Sequence, residues 1–402
     1  MENKKTLADF GCCFRNGKLR TIEGEGSIVE VSNRKEYVEL NDAIDEAVYE
    51  MVEKEGLQRR YIREGRLRRF YFASPYYEKK GKVLVLIHGS NSAKAGQWSR
   101  QLITKSLARG TQMDYIKRGI ANNWGVVVLN YNENCEDCGD WCHSAREHAL
   151  AEWAHAIPDN VKGPILIVAH GGGGDIAAEV VHRMHVKSDC RVELVGLIDS
   201  SAKVTGVKSV NWNTSMKKLH FDKESCNWQM FAGDDFHEGA PSACINSIFA
   251  LMEQFIVQSS TSQFESLLKQ SQEIVYYDFK KMMKKKRAEM RVKDANSILE
   301  SEEEIKNNDE EMDTDQNKKR KSPKRKRVSF ADDLNSGRLD AQNTAQSATQ
   351  VADPFMPSTV SPTRSILRKD NSDAHNLLSI AMEAMKPAKR IKFSNDLLAF
   401  LT

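Results

Sequence analysis

The sequence predicts a doubly wound α/β domain built on a mainly parallel sheet and followed by a disordered tail. Two observations carry that reading. Short, unbroken apolar runs alternate with stretches of helical periodicity through the first 280 residues. The large aromatics and the cysteines then thin out: all six Trp lie between Trp98 and Trp228, the last Tyr is Tyr277, the last Cys is Cys244, and after Phe279 the only aromatics are Phe330, Phe355, Phe393 and Phe400. Strands covered on both faces read as continuous apolar runs, and alternation with helices implies right-handed crossovers in one sheet. A segment with so few large aromatics has little burial to set against the entropy of ordering it. The expected organisation is a folded domain over 1–280 and a disordered tail over 281–402.

Each element has its own signal. Lys82 to His88 is a Val- and Leu-rich run that ends at Gly89, and a helix is expected over Ser99 to Ala108. Gly125 to Asn130 gives the next strand, then a helix over Ser144 to Ala156. Pro164 to His170 is the third strand, with a helix over Asp175 to His185 behind it. Val192 to Ile198 is the fourth strand and Asn227 to Ala232 a weaker fifth. The closing helix spans Ser242 to Val257, where Ile245, Ile248, Phe249, Met252 and Ile256 recur at helical spacing. In such sheets chemistry gathers beyond the carboxyl ends of the strands. Those ends are His88 and Gly89, Asn130, His170 and Gly171, Asp199 and Ser200, and Gly233 and Asp234.

The charge sum excludes some classes. The 402 residues carry 59 Lys and Arg against 56 Asp and Glu, a net +3, which is not a histone-like polycation. The sum conceals opposed blocks: basic Lys284 to Arg287, an acidic stretch from Glu300 to Asp315, and basic Lys318 to Arg327. No apolar run reaches the roughly 18 residues that span a bilayer, and Met1 to Lys5 lead into no apolar stretch of the kind a leader needs. The eight Cys are too sparse for a secreted disulfide scaffold and read as reduced thiols.

The third strand end carries the informative motif. Ala169, His170, Gly171, Gly172, Gly173 and Gly174 stand between a strand and a helix. An α/β hydrolase places its nucleophile elbow there, often as A-H-S-x-G-G. In that register Gly171 occupies the nucleophile position, and glycine has no side chain that a base could activate. The sheet is therefore expected to be of α/β-hydrolase type without its nucleophile. Asp199, after the fourth strand, fits the acid position, and His237, after the fifth, fits the histidine position. The three are vestigial candidates, and the plainer reading of Asp199 and His237 is as loop residues kept for hydrogen bonding. His88 and Gly89 sit where hydrolases place oxyanion donors, though a strand-ending turn explains them equally well.

Two other chemistries fit parts of the sequence. The glycines could present N–H groups to an anion, but no phosphate-loop or dinucleotide fingerprint accompanies them. Cys135, Cys138, Cys142 and His143 have spacing that could hold zinc. No second Cys-x-x-Cys pair exists and His143 adjoins Cys142 awkwardly, so incidental cysteines are the leading reading. No metal and no cofactor is expected.

Taken in order, several segments resemble the Arb-two-type domain over about 8–258. They are Phe10 to Arg20, Leu86 to Gly89, Ala95 to Arg100, Asp114 to Ile116, Val128 to Asn130, Glu147 and His148 with Trp153, Ile167 to His170, Ile198 to Ser200, and Asp235 to Glu238. That family is α/β-hydrolase-like and occurs in an Argonaute siRNA chaperone subunit, in some fungal histone deacetylase tails and in an animal cotranscriptional-regulator family. The resemblance implies work in nuclear RNA-silencing, chromatin or splicing assemblies, with Argonaute or chromatin proteins as partners. Several animal members are similar to A-H-S-x-G-G at the elbow; the departure at Gly171 implies a pseudoenzyme.

The tail has its own signals. Arg327, Val328, Ser329 and Phe330 resemble the RVxF motif that docks type-1 protein phosphatase, with basic residues before it and Asp332 and Asp333 after. Arg390, Ile391 and Phe393 give a second such match, and Ser365, Ile366, Leu367 and Arg368 resemble the SILK-type motif that docks the same phosphatase. An extended segment of this kind adds to a sheet edge and fills two apolar pockets. Ser329 lies inside the first motif, where phosphorylation would bring charge into an apolar contact; Ser322 and Ser361 precede prolines and are further candidates. Lys318, Lys319, Arg320, Lys321, Lys324, Arg325, Lys326 and Arg327 resemble a nuclear localisation signal read by an import receptor. Basic runs without interleaved aromatics also make weak, salt-sensitive contacts to nucleic acid. The expected function is a nuclear scaffold that recruits the phosphatase and does not bind membranes. The alternatives are an active hydrolase with an unconventional nucleophile, such as water activated by His237 or His170, and a nucleic-acid binder acting through the basic tail.

Overall fold

A computed structural model describes residues 5–23, 33–64, 67–89, 93–132, 145–161, 163–187, 190–215, 218–255 and 260–318. In chain order the elements are β1 (Cys12–Arg15), β2 (Lys18–Thr21), α1 (Arg34–Lys54), β3 (Gln58–Glu64), β4 (Leu67–Ala73), β5 (Val83–Ile87), α2 (Arg100–Ile103), α3 (Leu107–Gly110), α4 (Met113–Ala121) and β6 (Gly125–Val128). There follow α5 (Ala145–Ala156), β7 (Ile165–His170), α6 (Gly173–Val186), β8 (Val192–Ile198), β9 (Lys208–Asn213), β10 (His220–Asp222), β11 (Asn227–Phe231), α7 (Ala240–Gln254) and α8 (Thr261–Lys318).

Nine strands form one sheet in the order β10-β11-β9-β8-β7-β5-β6-β4-β3. From β6 through β5, β7, β8 and β9 to β11 every pairing is parallel; β3, β4 and β10 join antiparallel at the edges. The chain enters on an antiparallel hairpin, crosses to the centre at β5 and winds outward from there. This is the strand order of an α/β-hydrolase sheet, as the elbow motif leads one to expect.

Alternate residues of the central strands supply two cores. Leu84, Leu86, Val126, Val128, Leu166 and Val168 face one way, onto α1, α4, α7 and the start of α8. Val83, Val85, Ile87, Val127, Ile165 and Ile167 face the other, onto α5 and α6. These side chains are fully buried. Burying one Val or Leu contributes about 1.5–3 kcal/mol, which explains why these runs are apolar up to His170 at the end of β7.

Among the differences from the sequence reading, three are informative. Ser99 to Ala108 is two short helices. The β1–β2 hairpin intervenes: Leu19 donates its N–H to the Thr104 carbonyl at 3.0 Å, and Leu107 donates to the Gly17 carbonyl at 2.7 Å. Those bonds use backbone groups that an unbroken helix would pair internally. In β9 Ser209, Asn211 and Asn213 alternate with Val210 and Trp212, so it has no apolar run, yet it lies inside the sheet. The expected boundary near 280 falls within α8, which continues to Lys318. Its first turns bury Phe264, Leu268 and Val275, and the Lys- and Glu-rich sequence beyond is a good intrinsic helix former. Among the described residues no helix is long and apolar enough to cross a membrane.

Candidate functional site

Three strand ends meet at one point. β7 ends at His170, and the chain turns through Gly171 into α6. Gly171 has φ +51°, the left-handed region that glycine enters without strain. Its N–H donates to the Ile198 carbonyl at 2.9 Å, tying the turn to the end of β8. Gly173 follows as the first residue of α6, where a Cβ would collide with the His88 carbonyl oxygen. The small residues thus bring the helix against the β5 end, as a nucleophile elbow requires.

β8 ends at Ile198 and delivers Asp199, which also has positive φ, +45°. Its carboxylate is fully engaged. Oδ1 accepts from the Thr214 N–H at 3.0 Å and the Thr214 hydroxyl at 2.9 Å, and Oδ2 lies 2.6 Å from His237 Nδ1. Partial burial pushes the carboxyl up, but the bonds from His237 and Thr214 outweigh it and hold Asp199 at about 2. The hydrogen bond to Asp199 in turn raises His237 above the ordinary imidazole value, against a smaller lowering by burial.

His237 sits on the loop after β11. Buried Asp234 anchors that loop, pairing with Arg109 at 2.8 Å and accepting the Phe236 N–H at 3.2 Å. The His237 ring stacks on His170, with centroids 4.3 Å apart. His170 is buried, and burial, with the neighbouring His237 charge, lowers it to about 4. It is therefore neutral near pH 7, and its Nε2 faces the His237 carbonyl at 3.2 Å, so that nitrogen carries the proton.

The remaining ring nitrogen of His237 points at the elbow. A Cβ on Gly171 would stand 3.1 Å from His237 Nε2. His237 and Asp199 stand to each other as the histidine and acid of a Ser-His-Asp triad do, and Gly171 presents no side chain to His237 Nε2. Gly171, Asp199 and His237, far apart in sequence, are brought together. Thr214 and His170 complete the cluster. Thr214 had no sequence signal because it follows β9, the strand without an apolar run.

The other expected residues are placed less productively. His88 is buried and stacked on Tyr131, with centroids 4.2 Å apart, and its Nδ1 faces the Gly89 carbonyl. It is a packed strand end. A cavity of about 480 Å³ adjoins the cluster, lined by Asp199, Thr214, Asn211, Gln229 and Lys203 among others, and by neither Gly171 nor His237. Among the described residues no group of three or more His, Cys, Asp or Glu could hold a metal ion. Cys135, Cys138, Cys142 and His143 lie outside the described residues, as do the docking residues Arg327, Val328, Phe330, Ser365, Ile366, Leu367, Arg368, Arg390, Ile391 and Phe393. So do Ser322, Ser329, Ser361 and the basic run from Lys319 to Arg327; the backbone of Lys318 ends α8.

The Arb2 domain matches residues 3–150. A FAM172 family protein homolog of Caenorhabditis elegans is 31% identical over 296 residues, covering 67% of this chain and 93% of that protein. The human cotranscriptional regulator ARB2A is 28% identical over 65% of this chain and 82% of its own length. Among solved structures, the metagenomic carboxylesterase EstE1 is 19% identical with a TM-score of 0.27, the match covering 42% of this chain and 57% of the esterase.

Proposed function

This chain belongs to the Arb2-domain family that includes the FAM172 and ARB2A proteins, and from that membership we propose that it is a nuclear pseudo-hydrolase acting as a regulatory scaffold. The observation that carries the reading is Gly171, which leaves His237 and Asp199 with nothing to activate. The relatives are named as cotranscriptional regulators and not by a reaction. An elbow without its nucleophile, on an otherwise maintained turn, suits a fold kept for its surface.

The scaffold's cargo is the type-1 protein phosphatase, taken up through Val328 and Phe330, through Ile391 and Phe393, and through the SILK-like segment from Ser365 to Arg368. The basic run from Lys318 to Arg327 directs nuclear import. Phosphorylation of Ser329 releases the first docking motif, because it brings about −1.5 to −2 charge into apolar pockets. The partner of the folded domain is an Argonaute-type or chromatin protein.

A second reading, an active hydrolase using water held by His237, is favoured by the 2.6 Å bond that keeps the imidazole oriented. Ester turnover separates the two. The scaffold reading expects wild-type protein to hydrolyse a p-nitrophenyl ester no faster than buffer, and expects no labelling by a serine-directed fluorophosphonate. Gly171→Ser, which restores a hydroxyl beside His237, gains the label. Wild-type turnover that His237→Ala abolishes would overturn the scaffold reading in favour of the water mechanism.

A further inference from the structure

α8 leaves the body of the protein at Phe279. Before that point it buries Phe264, Leu268, Ser271 and Val275. From Lys280 to Val292 it buries nothing: Met282 and Met283 are half-buried and the rest are exposed. Lys280, Lys281, Lys284, Lys285, Lys286, Arg287 and Arg291 lie on this stretch, with Glu289 as its single acid.

The arrangement works against the helix that carries it. Lys280 and Lys284, Lys281 and Lys285, and Arg287 and Arg291 are like charges one turn apart, each such pair costing about 0.2–0.5 kcal/mol. Only Lys285 and Glu289 pair in the opposite sense at that spacing within the stretch, at 3.8 Å. No packing against the sheet compensates, since the segment buries no side chain. Lys280, Lys284, Arg287 and Arg291 fall on one face at i, i+4, i+7 and i+11, a stripe about 16 Å long at 1.5 Å per residue. A fixed line of cations in open solvent complements a fixed line of anions. Duplex nucleic acid carries one phosphate per about 1.7 Å of axis, and cations that neutralise it release condensed counterions.

We propose that the exposed basic face of α8, formed by Lys280, Lys284, Arg287 and Arg291, binds the phosphate backbone of nucleic acid. It is a site separate from the basic run at Lys318 to Arg327. The stretch holds no aromatic residue, so it has no platform on which bases could stack, and it tracks the backbone without choosing sequence. The folded domain then meets a chromatin or RNA assembly through its substrate as well as through its protein partner.

The test uses full-length protein and fluorescein-labelled 20-base-pair DNA and RNA duplexes of scrambled sequence, followed by anisotropy between 50 and 200 mM KCl. Changing Lys280, Lys284, Arg287 and Arg291 together to Gln keeps helix propensity and disturbs no buried contact. The expected result is a salt slope shallower by about 3.6, from four contacts at about 0.9 each. Between 50 and 200 mM KCl the wild-type advantage over the variant then shrinks by roughly a hundredfold, equally for scrambled sequences. Gln substitution of the Lys318–Arg327 cations leaves that difference in place. Equal slopes for wild type and the α8 variant overturn the proposal. So does salt-sensitive self-association in sedimentation that the α8 variant loses while neither duplex binds, which would assign the face to the acidic Glu300–Asp315 stretch of a second copy.

Discussion

Asp199 and His237 stabilise the fold in two different pH windows. Asp199 is held at about 2, below its ordinary 3.8. Its contribution is present above 3.8 and is lost as pH falls through about 2. His237 is raised above its ordinary 6.5, so its contribution is complete below 6.5 and is lost as pH rises through the raised value. Asp199→Asn removes the cause of the raising and leaves the burial that lowers it. The His237 midpoint, read by NMR from the imidazole resonances, should then fall below 6.5; an unmoved midpoint would contradict the assigned cause. At Gly171 the backbone has φ +51°, where any other residue costs about 1–2 kcal/mol. Gly171→Ser and Gly171→Ala should each lower stability by about that amount in urea titrations. The new Cβ crowds His237, but that ring is 45% exposed and can shift outward. Gly171, Asp199 and His237 were legible in the sequence because each directly follows a recognisable strand or its loop. Thr214 was not, and neither was the stacking of His170 beneath His237, because both depend on which strands are neighbours.

The strands that could be read in advance are those buried on both faces. Val192 to Ile198 matches β8 residue for residue, and the β5, β6, β7 and β11 runs overrun the observed strands by one or two residues at their ends. β3 and β4 escaped notice because Arg59, Arg60, Arg68 and Arg69 interrupt them. Arg59 is anchored by Glu46 and by Glu53 at 2.8 Å, and lies over the Tyr49 and Phe70 rings, contacts no local pattern announces. β9 escaped because its second face is a chain of side-chain amides: Asn211 and Asn213 both donate to the Gln229 oxygen of β11, at 3.0 and 2.9 Å. The satisfied amides behave as core. α8 is the element whose role divides most sharply along its length. Phe264, Leu268 and Val275 close one face of the sheet, and each contributes about 1.5–3 kcal/mol. A chain ending at Val292 should therefore keep the thermal midpoint of the longer protein, whereas one ending at Ser260 should lose most of a stability that is typically about 5–15 kcal/mol. Circular dichroism melts distinguish them; equal midpoints would show that α8 is not part of the core.

At the scale of the whole molecule, a net charge of +3 averages a folded domain with a tail whose proposed work needs no fold. RVxF- and SILK-type docking adds an extended segment to a sheet edge of the phosphatase, with two side chains in pockets. Nothing in the α/β domain is required for that contact. Phosphatase recovery from nuclear extract should therefore be the same for the full chain and for residues 319–402 alone, and absent for a chain ending at Lys318. The four-residue change of Val328, Phe330, Ile391 and Phe393 to Ala should abolish it in either context. Changing only Ile391 and Phe393 should weaken recovery more than changing only Val328 and Phe330. The SILK-like segment ends at Arg368, and a coil of the length that separates it from Arg390 would span on the order of 25 Å; on the proposed reading these two sites engage one phosphatase and raise each other's effective concentration. The first motif lies N-terminal to the SILK-like segment, opposite to the order in which the two usually dock. Ser329→Glu should then reduce recovery only when Ile391 and Phe393 are already changed. Full recovery by the four-residue variant would remove the phosphatase from the scaffold reading and leave the proposed role to the α/β domain and its own partners.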